Sequence, residues 1–589
     1  MKSFFKYLLA TIIGTLVTFL LVFFISMGIL GAIVSSQDKP LEIKSKSVLH
    51  VELTEPIVDR SSKNPFAGFD FEKFKPDGEI GLDEILNYLD KAKDDEKIEG
   101  ILLDFTFIPS GSGMIEEVRE ALLDFKESGK FIYAYSDFYD QHSYYLATVA
   151  DSIFMNPTGT LVFVGLKGEV VFIKNTLEML GIEPTVIRHG KFKSAIEPLV
   201  NEKMSEANKE QMLTLIQTLW HHMLEGISQQ REIPVEDLNR IADNLEITSS
   251  EDAVRLKLVD KTIYKDELLD LLREKMGVKE NKKINTVALK RYLNTAPPRD
   301  YKRLPKDKIA VIYAMGDVIM GEGEEGNIGS ERISSAIRDA RLDTTIKAIV
   351  FRVNSGGGSA LASEVIWREA KLAAETKPFV ASFGDVAASG GYYIAVPADT
   401  ILATPLSITG SIGVFGVLFQ GQKFMNEKLG ITKDLVKTNE YADIGNFFRS
   451  LKPAEKQAIQ TQIEKIYDTF ITHVGEGREM SKENVDSIGQ GRVWSGISAK
   501  EIGLIDMHGG LKKAVDVAAG MAKIEKYRVL SLPKLEDPFE KLLKEMSGQV
   551  KSSFMKREFG SYYKYYEELK NLKDWQGAQA RMPFILEIY

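Results

Sequence analysis

Cysteine is absent from this 589-residue chain. The absence excludes disulfide bonds, thiolate metal ligands and a cysteine nucleophile, but it does not identify the cellular compartment. The chain also lacks an HExxH motif and a P-loop, so two common signatures of metal and nucleotide chemistry are missing. We therefore expect no metal site.

An excess of positive charge is also missing, because the net charge is −9. Nucleic-acid binding needs a basic surface, so no nucleic-acid partner is expected. The segment GEGEEG (Gly321–Gly326) matches GxGxxG, but its three glutamates would repel a pyrophosphate group. No dinucleotide or other cofactor is expected.

The N-terminus carries a long apolar run, because Tyr7–Val34 contains no charged residue. At about 1.5 Å per residue this run would span roughly 40 Å as a helix, more than a bilayer core requires. Its length favours a retained transmembrane anchor over a cleaved signal peptide. Lys2 and Lys6 favour a cytoplasmic N-terminus and a body outside the cytoplasm. Against this stand three lysines near the other end of the run, Lys39, Lys44 and Lys46, partly offset by Asp38 and Glu42.

The chain contains one sequence unit twice. Ser136–Ser152 and Gly384–Thr400 share a frame of Asp, Tyr-Tyr and Ala-Asp, at a constant offset of 248 residues. The same offset places Gly100–Phe105 on Ala348–Val353. A period of this length indicates two homologous domains rather than a solenoid.

Short β-branched runs alternate with helical patterns in both copies, which predicts an α/β fold with mainly parallel strands. The segment 294–308 is rich in proline and charge and is the best candidate for a linker. The predicted organisation is an anchor at 1–37, a first domain at 38–293, the linker at 294–308, a second domain at 309–532 and a charged aromatic tail at 533–589. The tail is interpreted as a capping or oligomer-contact helix.

Ser389 stands between a predicted strand, PFVASF, and a predicted helix that begins at SGGYYIAV. At a helix N-terminus, free amides favour developing negative charge, and the N–H of Gly390 could stabilise an oxyanion. The alternative is that Ser389 only caps the helix. In the first copy Gln141 occupies this position.

A second glycine cluster, RVNSGGGSA, follows another buried strand and precedes another helix. The amides of Gly357 and Gly358 could complete an oxyanion hole beside Ser389. A flexible strand-to-helix turn is an equally good interpretation of these glycines alone.

A nucleophilic serine also needs a base. None of the seven histidines lies in a motif that would orient it toward Ser389, so a Ser–His–Asp triad has no support. A lysine can serve if burial leaves it neutral, and Lys193 in KFKSAIEP is the candidate. From the sequence alone, a solvated loop lysine remains the commoner explanation.

Five motifs in order resemble the signal peptide peptidase A (protease IV) family in its long tandem form: KFKSAIEP, NSGGGS, GDVAASGGYYIA, TGSIGVFG and GRVWSGISAKEIGLID. The resemblance implies tandem domains with the fold shared by Clp proteases and crotonases, behind one transmembrane helix. It also implies that Ser389 is the nucleophile, that Lys193 is the general base and that Ser411 hydrogen-bonds the lysine.

One position departs from the family pattern, because Gly356 replaces a proline and would leave the oxyanion loop less constrained. In the second copy, the position that corresponds to Lys193 lies near Tyr441, in TNEYADIGNF. Each half therefore lacks a group that the other half holds. We expect an active site built from both halves, supplied either by one chain or by two neighbouring chains.

The resemblance implies a membrane-anchored serine endopeptidase that degrades cleaved signal peptides and other hydrophobic or unfolded peptides. It further implies contact with membrane lipid, a homo-oligomer (a tetramer), and a location on the outer side of the bacterial inner membrane. Two alternatives remain at this stage: a non-enzymatic membrane scaffold, and an acyl-CoA hydrolase or hydratase on the same fold. Acyl-CoA chemistry would not require Lys193.

Overall fold

The computed structural model describes residues 2–37, 43–61, 69–70, 75–76, 78–279, 282–292, 305–535 and 578–582. The strands are β1 Ser47–Val51, β2 Ile57–Val58, β3 Phe69–Asp70, β4 Lys75–Pro76, β5 Ile80–Gly81, β6 Ile98–Asp104, β7 Phe131–Tyr139, β8 Ser152–Leu161, β9 Glu183–His189, β10 Lys261–Thr262, β11 Asn285–Ala288, β12 Lys308–Met315, β13 Asp317–Ile319, β14 Asn327–Gly329, β15 Ile346–Ser355, β16 Gly357–Ser359, β17 Phe379–Ala388, β18 Thr400–Ala403, β19 Ile408–Gly410, β20 Val414–Gln420, β21 Val493–Ser495, β22 Met507–His508, β23 Arg528–Leu532 and β24 Ala578–Arg581.

The helices are α1 Lys2–Gln37, α2 Leu82–Asp94, α3 Ser112–Lys126, α4 Gln141–Ala147, α5 Lys174–Leu180, α6 Glu197–Val200, α7 Glu206–Arg231, α8 Val235–Asp243, α9 Ser250–Arg255, α10 Lys265–Met276, α11 Leu289–Tyr292, α12 Ser330–Leu342, α13 Ala360–Ala374, α14 Gly390–Ala395, α15 Pro453–Arg478, α16 Lys482–Ile488, α17 Gly496–Glu501 and α18 Leu511–Ala522. A short 3₁₀ turn at Ser194–Ile196 and a π-helical turn at Phe424–Lys428 complete the helical elements.

Each half contains one large, mostly parallel sheet. The first sheet has the order β10-β8-β7-β6-β1-β11, and the second has the order β21-β19-β17-β15-β12-β23 with β18 and β22 beside β17. The pairs that flank β6, β7, β15 and β17 are all parallel. Strands β15 and β17 are almost entirely buried, as expected for near-continuous apolar runs in a parallel sheet covered on both faces.

The internal repeat is visible as a repeated order of elements. Helix α3, strand β7 and helix α4 of the first half correspond to α13, β17 and α14 of the second half. The long helix α7 likewise corresponds to α15, and α10 corresponds to α18. The α/β class and the tandem arrangement predicted from the sequence are confirmed.

A third sheet joins the two halves, with the order β14-β13-β16-β24-β20-β9. Strand β9 comes from the first half and pairs antiparallel with β20 of the second half, from Val414 opposite His189 to Gln420 opposite Glu183. The main hydrophobic core also contains residues of both halves, including Leu89 and Val118 of the first and Val350 and Ala514 of the second. The halves are therefore packed as one body around the place where β9 ends.

The domain boundaries stay predictions. Most of the linker 294–308 lies outside the described residues, and so does most of the tail 533–589, within which Ala578–Arg581 form a strand. Of the predicted anchor 1–37, residue 1 and the side chains at 2, 3, 5, 22–24 and 26–37 also lie outside the described part. Within what the structure describes, no helix combines the length and apolarity needed to cross a bilayer.

Candidate active site

Ser389 occupies the sharp turn between β17 and α14, with φ 55° and ψ −114°. A non-glycine residue rarely adopts this conformation, which costs on the order of 1–3 kcal/mol. Its backbone N–H donates to the Gly410 carbonyl at 2.8 Å, and its carbonyl accepts from the Tyr393 N–H at 2.9 Å. Its side chain makes no capping hydrogen bond to α14, so the alternative that Ser389 only caps this helix is wrong.

The Ser389 hydroxyl instead faces Lys193 of the other half. The lysine Nζ lies 2.7 Å from Ser389 Oγ and 2.9 Å from both Oγ and the carbonyl oxygen of Ser411. All three side chains have zero solvent exposure. Two residues that are 196 positions apart therefore meet inside a single chain.

Burial lowers the pKa of Lys193 well below its ordinary value, because the charged ammonium form loses its hydration. Among the described residues, no carboxylate offsets this loss, and burial alone accounts for the lowered pKa of Lys193. A neutral amine has two N–H donors and one lone pair. The Ser411 carbonyl can only accept, so one N–H points to it, and the lone pair is available for the Ser389 hydroxyl proton.

Lys193 reaches the site because β9 pairs with β20, and glycines make room for its side chain. Gly491 has φ +81°, and a Cβ at this position would lie 2.6 Å from the Cβ of Lys193. A Cβ at Gly413 would lie 3.2 Å from the lysine Cδ. The Phe192 N–H also donates to the Gln490 carbonyl at 2.8 Å and fixes the preceding residue. Gly491 was missed in the sequence, where its only signal is the pair of closely spaced glycines in GQG before RVW.

Ser411 lies between β19 and β20 and has φ 51°, so it is a second strained serine at this site. Its backbone N–H donates to the Arg492 carbonyl at 2.7 Å. This bond fixes the turn so that the carbonyl and hydroxyl of one residue both face the lysine Nζ. The residue identified by resemblance therefore lies where it can orient Lys193.

Two of the three predicted oxyanion glycines lie side by side. Gly357 has φ +100°, and a Cβ on it would lie 2.7 Å from the backbone nitrogen of Gly390. The Gly357 N–H donates to Ser355 Oγ at 3.1 Å. Gly358 is a ladder residue of β16, opposite Val318 on one side and Ala580 on the other. The geometry therefore favours Gly390, with Gly357 beside it, as the source of amide donors.

The glycine at position 356 is not required by the backbone conformation. Its φ lies outside the left-handed range, and the nearest atom to a Cβ built there is Met582 Cβ at 3.6 Å. Its carbonyl accepts from the Met582 N–H at 2.6 Å. The wider range of φ that glycine allows, compared with the family's proline, is therefore not used in this conformation.

The residues that correspond to Ser389 in the first half and to Lys193 in the second half make other contacts. Gln141 begins α4, and its Oε1 accepts from the N–H groups of Val164 at 2.9 Å and Gly165 at 2.7 Å. The Gln141 side-chain amide therefore fixes the backbone of Val164 and Gly165. Tyr441 is 44% exposed and lies in a segment without strands or helices. The division of groups between the halves agrees with the single composite site expected from the sequence.

In the part of the chain that the structure describes, which includes all seven histidines, none makes a hydrogen bond to Ser389; His189, for example, contacts Glu464 at 2.6 Å through Nδ1. Within the described residues, one cluster has ligand atoms close enough for a metal ion, namely His50, Glu52 and Asp104. The Nζ of Lys265 already contacts Asp104 there. This cluster belongs to the first sheet and shares no residue with the Ser389 site.

Comparison with known proteins gives two matches to the sequence profile of peptidase family S49, at residues 124–279 and 371–525. The chain is 34% identical to "Serine protease SPPA, chloroplastic" of Arabidopsis thaliana, with 86% of this chain and 75% of that protein covered. It is 35% identical to "Protease 4" of Salmonella typhi, with 87% and 84% covered.

A shorter relative, "Putative signal peptide peptidase SppA" of Enterococcus faecium, is 32% identical, with 36% of this chain and 62% of that protein covered. A solved structure of ClpP1 from Listeria monocytogenes covers 35% of this chain and 94% of its own, at 14% identity and a TM-score of 0.23. This structural overlap is too small to support a conclusion.

Proposed function

Because this chain belongs to peptidase family S49, we propose that its serine peptidase activity uses Ser389 as the nucleophile and Lys193 as the general base. The observation that carries the proposal is the 2.7 Å contact between a strained, buried serine and a buried lysine without a counter-ion. Both features cost stability, and both are useful for catalysis.

The reaction follows from the polarity of these groups. Neutral Lys193 takes the hydroxyl proton as Ser389 Oγ attacks the carbonyl carbon of a peptide bond. The protonated lysine then gives this proton to the leaving amine, and an acyl-enzyme ester remains on Ser389. A water molecule, deprotonated by the same lysine, hydrolyses the ester and restores the hydroxyl group.

Two further groups support these steps. Ser411 orients Lys193 through its carbonyl and hydroxyl oxygens, so that the lysine lone pair stays directed at Ser389. The amides of Gly390 and Gly357 donate to the oxyanion of the tetrahedral intermediate, while Gly358 holds the loop in its sheet. For Gly357 this requires the N–H to exchange Ser355 Oγ for the oxyanion.

The proposed substrates are signal peptides that remain in the membrane after cleavage, together with other hydrophobic or unfolded peptides. Support comes from the Enterococcus faecium relative that is named a putative signal peptide peptidase. The uncharged run Tyr7–Val34 supports a single transmembrane anchor in the bacterial inner membrane, with the catalytic body outside the cytoplasm. Lipid contact and a homotetramer belong to the same proposal.

The two alternative functions explain the site less well. Acyl-CoA chemistry on an oxyanion loop has no use for a lysine held 2.7 Å from a serine hydroxyl. A scaffold has no use for a buried lysine whose pKa is lowered by desolvation. A base for Ser389 accounts for both observations.

The test is hydrolysis of a leucine-rich signal peptide by the detergent-solubilised full chain. Lys193→Met should lower the rate by about 10²–10⁴-fold, the usual contribution of a general base. Ser389→Ala removes the nucleophile and should lower the rate by at least about 10⁴-fold. The matched controls are Ser487→Ala and Lys191→Met, which change exposed residues of the same types. If Lys193→Met cleaves as fast as the unaltered chain, Lys193 is not the base. If Ser389→Ala does so, the whole assignment fails.

A further inference from the structure

Lys193 lies in a loop, between the end of β9 and the 3₁₀ turn that begins at Ser194. Its Nζ must nevertheless stay within hydrogen-bond distance of Ser389 Oγ, which belongs to the other half of the chain. A misplacement of about 1 Å between reacting groups can lower a catalysed rate about 10²-fold. Contacts beyond the catalytic groups themselves are therefore needed to fix this loop.

A buried polar network lies directly behind the loop. Ser194 and Gln211 are each 1% exposed, and Asn208 is 2% exposed. Asn208 and Gln211 are three positions apart on helix α7, so their side chains lie on the same face of that helix. The remaining buried positions of α7 are leucine, methionine and isoleucine. Two amides at core positions of such a helix indicate a need for their hydrogen bonds.

The side-chain amide of Gln211 contacts the residues on both sides of Lys193. Its Nε2 donates to the Phe192 carbonyl at 3.1 Å and to Ser194 Oγ at 2.8 Å. The Ser194 hydroxyl in turn donates to Asn208 Oδ1 at 2.9 Å, so it is a donor and an acceptor at once. One side chain therefore holds both the residue before the proposed base and the residue after it.

The oxygen of the same amide reaches the second half of the chain. Gln211 Oε1 accepts a long hydrogen bond, 3.4 Å, from the N–H of Val493 at the start of β21. The preceding residue is Arg492, whose carbonyl accepts from the Ser411 N–H at 2.7 Å. Gln211 thus connects the loop that holds Lys193 to the segment that holds Ser411.

The network ends within the motif KFKSAIEP, at Glu197. This buried carboxyl group accepts from Ser205 Oγ at 2.5 Å, from the Ser205 N–H at 3.0 Å and from Asn208 Nδ2 at 3.1 Å. Because Glu197 takes the donor end of the Asn208 amide, the acceptor end is directed at Ser194. The residues that follow Lys193 in the motif therefore fix the orientation of the network that holds the lysine.

We propose that Gln211 is a positioning residue of the peptidase, which keeps Lys193 Nζ aligned with Ser389 Oγ by binding both neighbours of the lysine and strand β21. This inference rests on the proposed roles of Ser389 and Lys193. Gln211 acts through the residues beside the base. Its loss should therefore slow the attack by Ser389 and leave peptide binding unchanged.

The test is the variant Gln211→Met, which has a similar length and lacks the hydrogen-bonding groups. Its kcat for the leucine-rich signal peptide should fall about ten-fold to 10²-fold, with KM unchanged within about two-fold. Labelling of Ser389 by a small fluorophosphonate should slow by a similar factor, because this probe needs the Ser389–Lys193 pair and no extended peptide site. The matched control is Gln217→Met, an exposed glutamine of the same helix, which should keep the rates of the unaltered chain.

A role in folding alone gives a different result, so Tm is measured on the same samples and the rates are taken well below it. A folded Gln211→Met protein that labels Ser389 as fast as Gln217→Met would overturn the inference, whatever its Tm. A raised KM at an unchanged kcat would also overturn it, since the network would then shape the peptide site. Both results leave the proposed function intact.

Ser194→Ala decides the question if Gln211→Met does not fold. This variant keeps the β-carbon and removes the hydroxyl group between Gln211 and Asn208, and Ser487→Ala is its exposed control. Labelling of Ser389 should slow about five-fold or more, and an unchanged rate would refute the inference. The background for every chain is its Ser389→Ala form. If the unaltered chain does not exceed that background, the proposed function itself is wrong, and the inference falls with it.

Discussion

Replacing Lys193 by methionine should abolish activity and, at neutral pH, stabilise the fold. Methionine has a similar length and no charge to desolvate, so it suits the buried site. The reason for the gain is that burial lowers the pKa of Lys193 in the folded chain, whereas the unfolded lysine keeps its ordinary value. Between those two values the unfolded chain binds more protons, and the stability of the unaltered protein rises with pH.

The expected gain in stability follows from the free energy needed to keep Lys193 neutral in the folded chain. If the folded lysine is neutral at pH 7.5, keeping it neutral costs about 4 kcal/mol, or roughly 1.4 kcal/mol for each of about three pH units below the unfolded pKa. The three hydrogen-bond partners of Nζ offset about 1 kcal/mol each. Lys193→Met should therefore be more stable by about 1 kcal/mol at pH 7.5. The advantage should shrink by about 1.4 kcal/mol per pH unit and reverse above roughly pH 8.2.

The assay is thermal unfolding of both proteins from pH 7 to 10, scored as the difference in Tm at each pH. Lys191→Met is the control, because it makes the same substitution at an exposed lysine two residues away. A Tm difference for Lys193→Met that stays constant across this range would refute the reasoning. It would mean that the buried lysine has the same charge in the folded and unfolded chains.

Three further substitutions test the packing around the site. Gly491→Ala should lower peptide hydrolysis at least about ten-fold, because its Cβ would lie 2.6 Å from Lys193 Cβ. The control Gly430→Ala introduces only backbone strain at φ +66° and should keep the rate of the unaltered chain. Equal rates for the two variants would contradict this. Gly356→Ala should leave both Tm and hydrolysis nearly unchanged, since its φ is ordinary and its space is open, and a large loss would show that the loop needs glycine. Arg352→Met should destabilise the chain by about 3–5 kcal/mol in denaturant unfolding, because two buried carboxylates would lose their partner; an unchanged midpoint would contradict this.

The strands and helices could be predicted from the sequence because the apolar runs and the internal repeat indicate the same arrangement. Strands β15 and β17 are apolar runs, and the repeated Tyr-Tyr frame sets the correspondence between the halves. Arg352 was a visible exception, a charged residue in an apolar run. Its partners, Asp59 and Glu117, lie in the other half, so no local pattern could identify them.

The catalytic groups were harder to derive. Ser389 has a local signature, but Lys193 is joined to it only by the pairing of β9 with β20, which no spacing in the sequence encodes. The family resemblance identified the lysine where spacing did not. The positive φ of Ser411 and the role of Gly491 depend on neighbours that are far away in the sequence.

The strand at the C-terminus illustrates the same limit. Ala578–Arg581 has little intrinsic preference for a β-strand, since alanine is depleted in strands. It forms one because two strand edges are available on either side of it. Composition indicated a helix for the charged aromatic tail as a whole, and it gave no sign that its end reaches the active site.

The most direct test of the account is to treat the full chain with a fluorophosphonate and map the adduct by mass spectrometry. We expect phosphonylation at Ser389, increasing as pH rises and Lys193 loses its proton, and almost none in Lys193→Met. An adduct at another serine, or equal labelling of Ser389 in Lys193→Met, would contradict the proposal that these two residues form the catalytic pair.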